Sequence, residues 1–358
     1  MKKLLLMSLM FFYTGIQAQS YIDLELQQFV RRTIIESVKH YGNDVPEASC
    51  VIMSGDGKVI ADVGLGFNRK KVKDIPTLNS ESISSGITRP VLYLALMDGN
   101  LPPDYVINTG SGEFCDSTTN CIIRDMNYTR GGWGKITVQK AVDVSTIGVY
   151  KAVENVFKRN MSTLGRALIK TGITFNTEDD EPHANSLWLP CDIMGAHSPF
   201  SMYQQTAWIS GVMLNQGKIV LRLTNSDSPE PVCTVKSSKA ALDALRQAMI
   251  MTVQSGSGRI LNTPGYSVGA ALNVSERDAL NCKSLTGFAT ISYGAGAGLC
   301  VGVYVRKHDA PAGRKLPLSI LKAITDFVIQ NNYLDKNTPE TVTAASRRVK
   351  LHPAEKGR

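Results

Sequence analysis

The sequence predicts a mixed α+β fold, because strand patterns occur near both ends of the chain and helical patterns fill much of the middle. A helical pattern followed by two strand candidates lies within the first 65 residues. Three further strand candidates precede a last helix that ends near residue 330. The length of 358 residues suits one large domain or two small ones.

The amino-terminal elements are a helix and a hairpin. Asp23 is a candidate cap for a helix that stops at Tyr41-Gly42. Strand candidates at residues 48–53 and 59–63 are joined by Ser-Gly-Asp-Gly at residues 54–57, a composition typical of a hairpin turn. The apolar stripe of the helix consists of Leu26, Val30, Ile34 and Val38.

The remaining elements follow in order without an internal repeat. Residues 89–98 are apolar nearly all round, which is typical of a buried helix, and Pro90 suits its first turn. Further helical patterns begin at Thr137 and cover residues 239–253, and Pro317 opens the last helix. The strand candidates near the end are residues 266–274, 284–292 and 299–306.

The first 18 residues have the pattern of a secretory signal peptide. Lys2 and Lys3 precede an apolar stretch at residues 4–13, and small and polar residues lead to cleavage after Ala18. That stretch is shorter than the roughly 20 residues of a membrane span, so cleavage is favoured over an uncleaved anchor. We expect the mature chain to be periplasmic or exported, with only weak surface association with a membrane.

After the signal peptide, we predict a domain at residues 19–332 and a basic, disordered tail at residues 333–358. The tail contributes to the formal net charge of +8 and is either a solvated end or a segment attracted to a polyanionic wall or lipid surface. Basic and aromatic residues do not interleave, so we do not predict nucleic-acid binding. The tail charges are Arg347, Arg348, Lys350, Lys356 and Arg358.

The cysteines suggest a disulfide rather than a metal site. The seven Cys form no C-x-x-C pair and the five His are scattered, so neither a metal nor another cofactor is predicted. Cys115 and Cys121 flank a polar loop, and export would allow a disulfide between them. The alternative is two free thiols, and the odd number of Cys leaves at least one unpaired within a single chain.

Residues 84–110, SSGITRPVLYLALMDGNLPPDYVINTG, closely resemble the active-site segment of penicillin-binding transpeptidase domains. Residues 22–27, IDLELQ, also resemble the D-x-x-L-Q helix that opens such domains, and the resemblance extends to about residue 330. It implies the fold of serine transpeptidases and β-lactamases, with an antiparallel sheet flanked by helices and an inserted helical subdomain. It also implies a peptidoglycan peptide as the ancestral substrate.

The first catalytic motif of this family is S-x-x-K, in which the Ser is the nucleophile and the Lys its general base. Aligned on Pro90, the matching residues are Gly86 and Arg89. Glycine has no hydroxyl, and a guanidinium with a pKa above ~12 cannot accept a proton near neutrality. Arg89 is either a solvated charge near the helix start or a fixed cation in place of the base. The only S-x-x-K, Ser319 to Lys322, lies in the predicted last helix.

The second motif of the family, S-x-N, is also altered. Relatives show S-S-N-V-G-V where this chain has Val144-Ser145-Thr146-Ile147-Gly148-Val149. The first Ser is therefore replaced by Val144 and the Asn by Thr146. Ser145 falls at the variable middle position, where a helix-capping role is the expectation.

The third motif, K-T-G, has two candidate registers. Ala271-Leu272-Asn273 is preferred, because it follows the P-G-Y-x-V segment at residues 264–268 and leaves two strands before the last helix. The other register is Leu285-Thr286-Gly287. The Lys is absent in both, so the resemblance predicts a transpeptidase frame with none of its catalytic motifs intact.

Three functions remain open from the sequence. The preferred one is a secreted, catalytically inactive transpeptidase-like protein that binds a peptidoglycan stem peptide or a cell-envelope protein. The second is an active serine D,D-transpeptidase, carboxypeptidase or β-lactamase with a displaced nucleophile (Ser84, Ser85 or Ser145) and a distant base such as Lys283. The third is a structural envelope scaffold without a ligand in the cleft.

Overall fold

A computed structural model describes residues 19–41, 44–68, 71–77, 86–115, 122–158, 160–173, 200–277, 282–293, 297–308 and 315–336. In the first half of the chain the elements are α1 (Leu24–Tyr41), β1 (Glu47–Ser54), β2 (Val59–Asn68), β3 (Lys71–Asp74), α2 (Thr88–Asp98), β4 (Val106–Asn108), β5 (Glu113–Cys115), β6 (Ile122–Arg124), β7 (Lys135–Thr137), α3 (Val138–Val144), α4 (Thr146–Phe157) and α5 (Met161–Lys170). In the second half they are α6 (Met202–Leu214), β8 (Lys218–Ile219), β9 (Cys233–Thr234), α7 (Lys239–Gln254), β10 (Ser267–Arg277), β11 (Lys283–Tyr293), β12 (Ala297–Lys307), α8 (Lys315–Gln330) and α9 (Tyr333–Lys336).

A six-stranded antiparallel sheet in the order β10-β11-β12-β1-β2-β3 forms the centre of the fold. Strand β1 lies between β2 and β12, so that Val51 pairs with Asp62 on one side and Gly302 on the other. The predicted mixed α+β class with an antiparallel sheet is confirmed. The strands are somewhat longer than predicted, because flanking polar residues such as Lys283 and Lys307 still pair at their ends.

Alternation along the strands divides the apolar residues between two cores. Val51 and Met53 of β1 belong to the core that contains α2, α4, α6 and α7. Cys50 and Ile52 point to the opposite face and pack with α1 and α8. The sheet is therefore covered by helices on both faces.

Helix α1 begins as the sequence predicts. The Asp23 Oδ1 atom accepts a hydrogen bond from Leu26 N at 2.9 Å, which satisfies one of the free N–H groups at the helix start. The predicted apolar stripe is buried against the sheet.

Helix α2 is buried all round, as its composition predicts. Every residue from Thr88 to Met97 is buried, and the helix packs against α3, α4, α5 and α7. The helical pattern that begins near Thr137 is interrupted: Ser145 takes an extended conformation and separates α3 from α4. None of the described helices is long and apolar enough to cross a lipid bilayer.

The ordered domain extends past the predicted boundary at residue 332. Tyr333 and Leu334 are buried in α9, and Tyr333 Oη donates a hydrogen bond to Asp23 Oδ1 at 3.0 Å. The Tyr333 ring also lies 5.9 Å from that of Phe327, measured between centroids. The polar composition after Asn332 did not reveal this short apolar turn, which packs against α8 and β12. The predicted tail from residue 337 onward is outside the described residues.

Candidate functional site

The candidate site lies where the start of α2, the start of α4 and the edge strand β10 meet. Arg89 is only 2% exposed, and its Nη2 donates a hydrogen bond to the carbonyl oxygen of Leu272. Of the two roles considered for Arg89, the solvated surface charge is therefore wrong. Arg89 instead joins the first candidate motif position to the third.

Gly86 is buried, and a side chain of α6 occupies the space beside it. A Cβ atom added to Gly86 would overlap the Oε1 atom of Gln205 and would lie 3.2 Å from the Phe288 ring. The Gln205 side chain is held by a 2.9 Å hydrogen bond from its Nε2 to Phe200 O. A serine at position 86 therefore has no room unless Gln205 moves.

Helix α6 approaches the sheet closely on the same side. A Cβ atom on Gly302 of β12 would overlap the Oγ1 atom of Thr206, the residue after Gln205. Two glycines, Gly86 and Gly302, thus accommodate consecutive side chains of α6. The sequence analysis missed this packing, since no local pattern links residues so far apart in the chain.

Asp125 is a further buried charge at the site that the sequence analysis missed. Its Oδ2 accepts a 2.5 Å hydrogen bond from Ser145 Oγ, and its Oδ1 accepts a 3.3 Å bond from Ile147 N. Burial raises the pKa of Asp125, and these hydrogen bonds together with the positive charge of Arg89 only partly oppose that rise.

Ser145 is fully buried and caps α4. Its Oγ accepts a 2.8 Å hydrogen bond from Gly148 N while donating to Asp125. Val144 is a buried apolar residue beside it, and Thr146 begins the helix. The hydroxyl of Ser145 therefore faces a carboxylate and an amide N–H.

The structure places the two registers of the third motif on adjacent strands. Asn273 of β10 pairs with Thr286 of β11, and Ala271, Leu272 and Asn273 are all buried. Of these two strands, only β10 is at the sheet edge beside Arg89. Strands β11 and β12 both follow β10 in the chain before α8, as the preferred register requires. The register Leu285-Thr286-Gly287 lies inside the sheet.

A second set of hydrogen bonds at the site joins Asp143 of α3 to Ser257. The carboxylate of Asp143 in α3 accepts hydrogen bonds from the Ser257 N–H at 3.2 Å and from the Ser257 hydroxyl at 2.5 Å. Lys140 Nζ lies 2.7 Å from the same carboxylate. A Cβ on Gly256 would lie 2.5 Å from Asp143 Oδ2, so the turn after α7 packs tightly on α3.

Of the displaced-nucleophile alternatives, only Ser145 can be located, and no described lysine forms a hydrogen bond with its hydroxyl. Lys283, the base considered from the sequence, lies at the end of β11, where it pairs with Lys307 and Arg277. Lys322 of the S-x-x-K in α8 lies 2.5 Å from Asp326, on a helix that packs against α1 on the other face of the sheet. Ser84 and Ser85 are outside the described residues.

Four of the seven cysteines lie in the described part of the chain with their side chains. Cys50, Cys233, Cys282 and Cys300 form no disulfide, and Cys282 Sγ lies 3.0 Å from His308 Nδ1. The predicted disulfide cannot be placed, because Cys121 and the side chain of Cys115 are outside the described residues. Within the described part of the chain, no group of three His, Cys, Asp or Glu residues is arranged to hold a metal ion.

Comparison with known proteins identifies the fold through solved structures alone. No protein-family model and no curated protein matches the sequence. The TP domain of penicillin-binding protein 3 from Burkholderia pseudomallei has a TM-score of 0.65 and 16% identity, over 89% of this chain and 98% of that chain. A D,D-transpeptidase domain of a peptidoglycan glycosyltransferase from Eggerthella lenta has a TM-score of 0.61 and 15% identity, over 86% of this chain and 82% of that chain.

A penicillin-binding protein from Mycobacterium tuberculosis is similar over 92% of this chain and 88% of that chain, with a TM-score of 0.66 and 13% identity. The chain has the fold of a penicillin-binding transpeptidase domain. This confirms the transpeptidase-like fold that the resemblance of residues 84–110 implied. In this transpeptidase-like fold, Gly86, Arg89 and Leu272 lie together beside the edge strand, as described above.

Proposed function

We propose that this transpeptidase-like domain is exported by a signal peptide cleaved after Ala18 and does not acylate. In this proposal it acts in the cell envelope by binding a partner protein. The observation that carries the proposal is the Gln205 side chain beside Gly86, because it fills the space that a nucleophilic side chain would need. Substituting Ser for Gly86 alone would not restore a reactive hydroxyl, because Gln205 occupies the space beside position 86.

The chemistry of the neighbouring residues supports inactivity. Arg89 remains protonated at neutral pH and its Nη2 bonds to a backbone carbonyl. The Ser145 hydroxyl donates to Asp125 and has no amine base beside it among the described residues. Removing the nucleophile or its base in serine hydrolases lowers the rate by about 10⁴-fold or more.

The side chains across the site favour a protein partner over a peptidoglycan stem peptide in the cleft. The Leu272 carbonyl of the edge strand already accepts a hydrogen bond from Arg89. The Asp143 carboxylate of α3 likewise accepts a hydrogen bond from the Ser257 hydroxyl in the turn after α7. A peptide that adds to a sheet edge needs free backbone groups there. The similar solved structures include a D,D-transpeptidase domain, so a peptidoglycan peptide remains the competing ligand for this site.

The test is acylation of the purified mature chain by a fluorescent penicillin. We expect no labelled band after denaturing electrophoresis and no mass increase in the intact protein. An active transpeptidase treated in parallel is the positive control, and chain denatured beforehand is the negative one. A covalent adduct on any serine would overturn the proposal. Intact mass of the exported protein also reports whether the chain begins at residue 19.

A further inference from the structure

A glycine-rich loop next to the candidate site displays an unusual concentration of exposed apolar side chains. Five of the nine exposed large hydrophobic residues in the described part of the chain lie between residues 105 and 133. We define the aromatic face as four of them together with two exposed cations on the same loop. Its members are Val106, Met126, Tyr128, Trp133, Arg130 and Lys135.

The β4–β7 ribbon aligns part of the aromatic face. Val106 pairs with Thr137 and Asn108 pairs with Lys135, while the intervening Ile107 is buried. Because side chains alternate along a strand, Val106 and Lys135 lie on the same exposed side of the ribbon. Trp133 precedes Lys135 by two residues and is 38% exposed.

Close backbone contacts bring Tyr128 to the same end of the ribbon. A Cβ on Gly112 would lie 2.8 Å from the Cα of Gly132 and 3.1 Å from the Cα of Tyr128. Gly132 N also donates to Asn127 O at 3.2 Å. Gly112 and Gly132 have φ values of +82° and +75°, which favour glycine. The loop is therefore packed on itself and holds Tyr128 next to the residue before Trp133.

The Tyr128 ring is held in place before any partner arrives. The Arg124 guanidinium lies 5.2 Å from the ring centroid, and Arg124 Nε bonds to Glu113 Oε2 at 2.6 Å. At its base the loop is anchored by Asp125, whose N–H donates to Gly112 O at 2.9 Å. An aromatic side chain fixed in this way loses little conformational entropy on binding.

We propose that the aromatic face docks a protein whose surface combines an apolar pocket with carboxylates. Aromatic residues, Met and Arg are the residue types enriched at protein–protein interfaces, and Trp, Tyr and Arg dominate their binding energy. Among the described residues, neither Arg130 nor Lys135 forms an ion pair with a carboxylate, so a partner would supply the negative charge. This inference rests on the proposed envelope-protein partner and specifies where it binds.

The experiment places a photo-crosslinking amino acid at position 128 of the full mature chain and, as a matched control, at exposed position 169 of α5. After irradiation in an envelope extract of the host, the protein crosslinked only from position 128 is identified and purified. Its affinity is then measured for the wild type, for Trp133→Ala, for Arg130→Glu/Lys135→Glu, and for the control Ile169→Ala. All four altered positions are exposed, so the variants are expected to fold.

We expect the affinity to fall about tenfold or more for Trp133→Ala and for the charge reversal, and less than twofold for Ile169→Ala. The wild-type affinity should weaken as salt rises, since the cations are solvent-exposed. Equal affinities in all variants, crosslinks only to a second copy of this chain, or retention on purified peptidoglycan sacculi that depends on Trp133 would each overturn the inference. The absence of any crosslinked protein would also overturn the inference. The penicillin assay tests separately whether the chain is catalytically inactive.

Discussion

Replacing Gly86 with Ser tests whether Gln205 fills the space beside it. The added Cβ would overlap Gln205 Oε1, and the backbone at Gly86 is not in the left-handed region, so crowding is the main cost. Adding atoms to a packed core typically costs about 1–3 kcal/mol. We expect Gly86→Ser to lower the free energy of unfolding by that amount.

Shortening Gln205 should relieve the crowding. Gln205→Ala alone loses the hydrogen bond to Phe200 O and some packing, at a cost of about 1–2 kcal/mol. With the long side chain gone, the serine at position 86 has room, so the double variant should be about as stable as Gln205→Ala. The double-mutant cycle then gives an interaction energy of about 1–3 kcal/mol.

Equilibrium unfolding in urea of the wild type, the two single variants and the double variant supplies the cycle. Gly165→Ser is the matched control, because no atom lies within 4 Å of a Cβ at that position in α5. That control should change stability by less than about 0.5 kcal/mol. If the effects of Gly86→Ser and Gln205→Ala simply add, the reasoning about the occupied space is refuted.

Two further predictions concern Asp125 and the carboxyl-terminal end. Because burial raises the pKa of Asp125 above the usual ~3.9, the folded chain binds more protons than the unfolded chain between those two values, and stability falls as pH rises through them. Asp125→Asn should flatten that part of the pH profile in urea unfolding, and an unchanged slope would contradict the assignment. A chain ending at Asn332 loses the buried Tyr333 and should be destabilised by about 3–5 kcal/mol. A chain ending at Lys336 should keep the wild-type midpoint in thermal unfolding. Equal midpoints for the two truncated chains would show that α9 contributes nothing to stability.

Local sequence patterns predicted many of the helices and strands of the fold. The cap at Asp23, the all-apolar composition of α2 and the strand candidates near the end all predicted elements that the structure contains. These features depend on residues close together in the chain, so periodicity and capping rules detect them. The expected capping role of Ser145 belongs to the same class, because its Oγ accepts a hydrogen bond from Gly148 N at the start of α4.

The site was predicted less completely, because its contacts join distant parts of the chain. Gly86 and Arg89 were found by alignment to a motif. No sequence pattern indicates that Gln205 lies beside Gly86 or that Leu272 accepts a hydrogen bond from Arg89. Asp125 lies in a loop without periodicity, so its burial could not be inferred. A buried carboxylate of this kind is visible only once the fold brings Ser145 against it.

The position of β1 in the middle of the sheet has a consequence for how the chain folds. Its partners are β2, which follows it directly, and β12, which begins about 240 residues later in the chain, with Glu47 opposite Arg306. In the amino-terminal hairpin, the edge of β1 that faces β12 therefore stays unpaired until residues 297–307 have been synthesised. Non-local pairing of this kind slows folding and exposes a strand edge to association in the meantime. An exported chain would therefore complete its sheet only after translocation, and a folding helper that shields the β1 edge would raise its yield.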